Sequence, residues 1–273
     1  MKIRAITGFF FIIVMLASVL LGRHVFNVFY LVLALLCLWE FYGLVKQSTA
    51  KPDTILGLVI AASIYGLFTW TEFNSNHNFP LVIMALVVAT LAVCATFIVE
   101  LFKRSGSPFN NIAYTFMGVI YVMIPFQFFH ALAYVQGDFD FHLPLGFLIM
   151  LWANDTGAYL SGYFFGRTKL FERHSPKKTW EGFIGGVLIA AVAGFILSRF
   201  YTELSWRHWV SVAILIGSFG TLGDLVESMF KRSINVKDSG GILPGHGGLL
   251  DRFDGLLIAA PVVFAYLYLI SIF

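Results

Sequence analysis

Apolar runs of about twenty residues, broken by short polar stretches, recur along the whole chain. Nine can be read, at roughly 5–22, 25–45, 54–72, 80–101, 111–135, 143–165, 182–199, 209–229 and 255–272. Each is close to the ~20 residues that an α-helix needs to cross a bilayer. The runs are continuous and lack the alternating pattern of barrel strands, so they predict helices. In hydrocarbon every backbone polar group needs an internal partner, which a helix supplies by itself. The expected fold is all-α: a polytopic membrane helical bundle of about nine transmembrane helices.

Composition agrees: 59% of the residues are hydrophobic and only 12% charged, with a mean hydropathy of +0.83, whereas soluble domains carry about 25% charged residues. The net charge of +3 is less informative than its distribution. With the N-terminus in the cytoplasm, fifteen of the eighteen Lys and Arg residues fall on that side, and only Arg23, Arg199 and Arg207 fall on the other. The positive-inside rule therefore orients the chain with its N-terminus cytoplasmic and its C-terminus outside. The acidic loop holding Asp138 and Asp140 then lies outside, as expected. Cys37 and Cys94 sit within apolar runs and read as small core residues, not as a disulfide or a zinc site. The first run, after Met1-Lys-Ile-Arg, is expected to be a retained helix and not a cleaved signal. Residues 1–140 are expected to be scaffold helices. Residues 141–273 are the expected catalytic region, with cytoplasmic loops at 166–181 and 230–254. Compact size suggests a bacterial inner (cytoplasmic) membrane protein, multi-pass, with its polar loops facing the cytoplasm.

Candidate chemistry gathers after about residue 150. Asp224, Glu227, Ser228 and Lys231 are spaced to share one helix face at the end of the eighth run. An ionisable group at the edge of a span suggests function, although an internal ion pair with Lys231 is the plainer explanation. Gly240, Gly241, Gly245, Gly247 and Gly248 would let backbone N–H groups approach an anion. Lys237 and Arg252 flank them, and His246 could bond a phosphate or simply pack the loop. Asp251 and Asp254 follow at the start of the ninth run, where acids also suit the helix dipole. Acids on both sides of the loop could converge on one cation, and oxygen-only ligands favour Mg²⁺ over Zn²⁺. In the other loop, Ser175-Pro176 reads as a helix start with Lys177 and Lys178 in its first turn. That is the wrong charge for the dipole unless a phosphate or an anionic lipid headgroup is bound there. Asp155 lies in the sixth run, ~15 Å below its cytoplasmic end at ~1.5 Å per residue. A carboxylate so deep needs a partner, a metal or a wet cavity. Gly157, Ser161 and Gly162 permit close helix packing. Glu40, in the second run, reads as a structural acid.

These residues together resemble the phosphatidate cytidylyltransferase family, also called CDP-diacylglycerol synthases. The likeness is carried by Ser228, Lys231, Arg232, Lys237, Asp238, Gly240 or Gly241, Pro244, His246, Gly247, Gly248, Asp251, Arg252 and Asp254. The Asp155–Tyr159 segment and the Ser175–Gly182 loop also resemble family segments. The resemblance covers residues of about 150–255 and is highly specific there. It implies a Mg²⁺-dependent reaction of CTP with phosphatidic acid, giving CDP-diacylglycerol and pyrophosphate in phospholipid biosynthesis. Asp224 and Asp251 would hold Mg²⁺, with Asp254 or Glu227 as a further ligand; a second cation is left open. Lys237, Arg252, Lys177 and Lys178 would hold the triphosphate, and Ser228, Lys231 and Arg232 either substrate. The implied partners are CTP, phosphatidic acid and the bilayer, with no nucleic acid; a homodimer is compatible with the family. Alternatives are a cytidylyltransferase acting on a polyprenyl-type lipid phosphate, and an ion-coupled transporter.

Overall fold

The computed structural model describes residues 2–73, 79–236, 239–240 and 247–272, and side chains within 7–69, 83–236, 239–240 and 247–271. Among the described residues ten α-helices form: α1 (Lys2–Leu20), α2 (Arg23–Val45), α3 (Thr54–Phe73), α4 (Phe79–Phe102), α5 (Pro108–Gly118), α6 (Ile124–Ala131), α7 (His142–Phe165), α8 (Trp180–Leu197), α9 (Trp206–Ser233) and α10 (Leu250–Ile272). Every expected run coincides with helix, the fifth being shared by α5 and α6. Six stretches among the described residues are long and apolar enough to cross a membrane: Arg23–Val45, Ile83–Phe102, Pro108–Tyr134, Trp180–Leu197, Trp206–Ser233 and Leu250–Ser271. The chain is thus a helical, multi-pass membrane protein.

Besides a short 3₁₀ turn at Leu132–Tyr134, two features among the described residues depart from uniform α-helix. Between α5 and α6 lies a π-helical turn, Val119–Met123. Pro125 has no N–H to give to the carbonyl four residues back, and Ile124 N–H instead bonds Val119 O, five residues back. The second feature corrects the helix start expected at Ser175. Residues Ser175–Thr179 form a strand, β2, paired antiparallel with β1 (Lys169–Phe171), so a small hairpin interrupts the all-α design. Helix α8 begins only at Trp180, where the Thr179 hydroxyl caps it by accepting from Gly182 N at 3.2 Å. Glu181 occupies its first turn. The charge conflict at that helix start therefore disappears, because an acid and not two lysines faces the positive end of the dipole.

The chain forms two compact units: Met1–Gln127 with Ile234–Leu250, and Phe128–Ser233 with Asp251–Phe273. In the first unit, Tyr42 of α2 donates to Thr115 O at 2.6 Å. Its ring lies where a Cβ on Gly57 or Gly118 would collide with it. Lys51 N donates to Asn111 Oδ1 at 2.6 Å, and Lys103 pairs with Asp53 at 2.9 Å. These bonds put the α2–α3 and α4–α5 loops at one end of the unit. Partial burial pushes the Asp53 carboxyl up, but the Lys103 ammonium and the Leu56 backbone N–H outweigh it and hold it below the usual aspartate value.

The second unit is built on α7, α8 and α9. Their close approach depends on small residues: a Cβ on Gly194 would lie 2.8 Å from Trp209 O, and one on Gly186 2.8 Å from Asn154 O. Gly157 faces Ile189, Ser161 meets Gly185, and Gly162 meets Thr179 and Gly182. The start of α10 lies against α9 in the same way, where a Cβ on Gly223 would strike the Asp254 carbonyl. That crossing brings Asp251 and Asp254 beside the acidic face of α9.

Candidate functional site

Within the second unit the helix spacing of α9 turns Asp224, Glu227, Ser228 and Lys231 to one side. Ser228 Oγ donates to Asp224 Oδ1 at 3.3 Å. Lys231 Nζ lies 2.6 Å from both Glu227 Oε2 and Asp251 Oδ1, so it joins α9 to α10. This knot is nearly sealed: side-chain exposure is 0% for Glu227, 12% for Lys231 and 10% for Asp251. The ion pair considered as the plainer explanation of this face is therefore present.

A second, open group stands beside it. Lys178 Nζ reaches Asp224 Oδ2 at 2.6 Å and Thr221 O at 3.5 Å. The hairpin makes this contact possible, because successive residues of a strand point to opposite faces. Lys178 turns to α9 while Lys177 is exposed. Glu181 secures the hairpin's base by accepting from the backbone N–H groups of Arg167 and Thr168, each at 3.1 Å. Asp155 on α7 is exposed and not sealed in the unit, and it lies within electrostatic reach of Asp224, Lys178 and Arg252. Asp254 faces the charges of Asp224, Glu227 and Asp155. Arg252 and Arg232 are exposed.

Asp155, Lys178, Asp224, Glu227, Ser228, Lys231, Asp251, Arg252 and Asp254 are thus brought into one neighbourhood. Among the described residues it holds five carboxylates (Asp155, Asp224, Glu227, Asp251, Asp254) and three cations (Lys178, Lys231, Arg252). When all are ionised, two negative charges remain in formal excess. An oxygen-only donor set with that excess fits a hard divalent cation. The four expected metal ligands are not drawn together, however. Lys178 holds Asp224 and Lys231 holds Glu227 and Asp251, and the one group of three metal-binding side chains that converge among the described residues lies elsewhere.

Lys237, Asp238 and residues 241–246, with Gly241 and His246, lie outside the described residues. Gly240, Gly247 and Gly248 are described, in the first unit. Gly247 has the positive φ of 80° that only glycine adopts easily. The Glu40 carboxylate occupies the space that a Cβ on Gly240 or Gly248 would fill. Glu40 Oε2 accepts from Leu250 N at 2.7 Å. The anion that these two glycines approach is therefore a protein carboxylate on α2, which holds the backbone of the residue before Asp251. An acid within an apolar run was the sequence signal for Glu40; its partner 210 residues away could not be read.

A model of the cytidylyltransferase family matches residues 2–270 of the chain. Phosphatidate cytidylyltransferase of Staphylococcus aureus (strain COL) is 35% identical over 271 residues, 96% of this chain and 97% of the relative. The enzyme of the same name from Staphylococcus haemolyticus (strain JCSC1435) is 33% identical over 269 residues, again 96% of this chain and 97% of the relative. That of Staphylococcus epidermidis (strain ATCC 12228 / FDA PCI 1200) is 34% identical over 271 residues, with the same coverage.

Proposed function

The chain belongs to the cytidylyltransferase family, and from that membership we propose that it makes CDP-diacylglycerol and pyrophosphate from CTP and phosphatidic acid. The observation that carries this reading is the likeness of the whole chain to relatives named for that activity. The open acid–base group supports it, since both substrates are polyanions and one is a lipid.

The reaction joins a phosphatidate oxygen to the α-phosphorus of CTP and breaks the bond to the β-phosphate oxygen, which leaves as pyrophosphate. The lipid phosphomonoester has a second pKa near ~6, so it is largely dianionic at neutral pH and needs no strong base. The protein's work is then positioning and charge stabilisation. Lys178 and Arg252 hold the triphosphate oxygens; Lys178 can do so because its present partner, Asp224, is open to exchange. Lys231 is engaged with two carboxylates and serves to fix α10 on α9. Ser228 orients Asp224. Asp224 and Asp254 would hold Mg²⁺, with Asp155 beside them; Asp251 would join them on release from Lys231, and Glu227 is kept out by its full burial. When bound, the cation screens triphosphate charge and polarises the phosphoryl group under attack.

In the membrane we assign nine spans, with the N-terminus and the polar loops cytoplasmic and the C-terminus outside. The grouping of the α2–α3 and α4–α5 loops at one end of the first unit supports that alternation.

The test is pyrophosphate release by purified protein in detergent with CTP, dioleoyl phosphatidic acid and Mg²⁺. Release that requires all three is expected. Release with a polyprenyl phosphate and none with phosphatidic acid, from folded protein, would overturn the substrate; persistence after chelation would overturn the metal.

A further inference from the structure

At the end of α7 away from the acid–base group, three side chains converge that the proposed reaction does not use. His142 opens α7, Asp140 lies just before it, and Glu203 lies between α8 and α9. His142 Nδ1 is 2.9 Å from Asp140 Oδ1 and 2.6 Å from Glu203 Oε1, and all three ligand atoms lie within 4.8 Å of one another. A ring nitrogen carries at most one proton, so it cannot serve two carboxylates at once. Here it makes a well-directed hydrogen bond to neither, and Glu203 Oε2 is also buried without a hydrogen-bond partner.

Separate contacts hold each group in place. Asp140 Oδ1 accepts from the His142 backbone N–H at 2.8 Å. The His142 ring stacks on Tyr201 with centroids 4.2 Å apart, and Tyr201 O accepts from Trp209 Nε1 at 3.1 Å. Gln136 Nε2 donates to Glu203 O at 3.3 Å, linking the same two loops a second time. Side-chain exposures of 26%, 25% and 17% for His142, Asp140 and Glu203 leave a path for an ion and for water to complete its shell.

We propose that Asp140, His142 and Glu203 form a binding site for a divalent transition-metal ion of the Zn²⁺ type. One imidazole nitrogen with two carboxylate oxygens is a zinc donor set that leaves one position open. Mg²⁺ prefers oxygen alone. Bonds of ~2.1 Å in a tetrahedral shell set ligand atoms ~3.4 Å apart, so the two distances from His142 Nδ1 need to open by less than ~1 Å. The ion would staple the α6–α7 loop to the α8–α9 loop. Asp155 follows about 20 Å along the same helix, at ~1.5 Å per residue, so this site is separate from the acid–base group.

The test uses the full chain in detergent, stripped by chelator, then dialysed against Zn²⁺ in excess Mg²⁺ to occupy oxygen-only sites. The parent and Asp224→Asn should each retain about one zinc per chain, and His142→Ala should fall to background. Zn²⁺ should raise the thermal midpoint of the parent by ~3 °C or more and leave that of His142→Ala unmoved. Glu203→Gln replaces His142→Ala if the latter does not fold. Zinc absent from the parent, equal in the His142 or Glu203 variant, or lost in Asp224→Asn, would overturn the site. None of these readings depends on CTP turnover.

Discussion

Lys178–Asp224 and Lys231–Glu227 are ion pairs of the same length, 2.6 Å, on neighbouring turns of α9, yet the first is open and the second closed. Exposure is 26% and 39% in the open pair, against 12% and 0% in the closed one. Water screens the open pair, which holds its partners weakly and lets either exchange for a ligand's charge. Burial makes the closed pair strict, because removing one ion leaves the other in a medium that cannot solvate it. Distance is equal, so burial is what separates a pair suited to exchange from one suited to architecture.

The comparison would break most visibly at Asp224. Asp224→Asn is expected to lower the rate of pyrophosphate release about 10³-fold with the fold intact; a loss of less than tenfold would remove Asp224 from the chemistry. Lys231→Met should act on stability instead. It strands Glu227 and is expected to cost about 3–5 kcal/mol, read as a lower thermal midpoint in detergent. Glu227→Gln added to it should recover part of that loss. A melt of Lys231→Met like the parent's would mean that the closed pair is not architectural. Lys178→Met sharpens the contrast. It should raise KM for CTP about tenfold, worth ~1.4 kcal/mol, and change stability by less than about 0.5 kcal/mol. Asp53→Asn is the control for an open pair in the first unit, expected to cost under about 1 kcal/mol. The Asp53 carboxyl is held below its usual value, so what the pair contributes is present above the unfolded pKa of ~3.9 and lost as pH falls through the lower folded value. A larger loss, or one that grows with rising pH, would contradict this.

The helices were legible because an apolar run of spanning length has one dominant solution in hydrocarbon. The α9 face was legible because its spacing follows the helix period. What escaped depended on partners distant in sequence or on competition between local patterns. Ser175-Pro176 carries the marks of a helix start, but 175–179 pairs with 169–171, and the hairpin moves the true cap to Thr179. Spacing puts Glu227 and Asp224 on one face equally well; only packing against α10 seals the first and leaves the second open. From the sequence Asp140 is only part of an acidic loop, because its convergence with His142 and Glu203 needs two loops to meet. Glu40 reads as a structural acid from the sequence, but its partner, the Leu250 N–H, cannot be read there, for the same reason.

The bond from Leu250 to Glu40 also sets an order on the making of the protein. Its two ends are 210 residues apart, a separation that a ribosome working at ~5–20 residues per second needs about 10–40 s to cover. Throughout that interval the residues of α2 already exist, while the amide that will donate to the Glu40 carboxylate has not been synthesised. The N-terminal helices therefore wait for a bond whose donor is made 210 residues later.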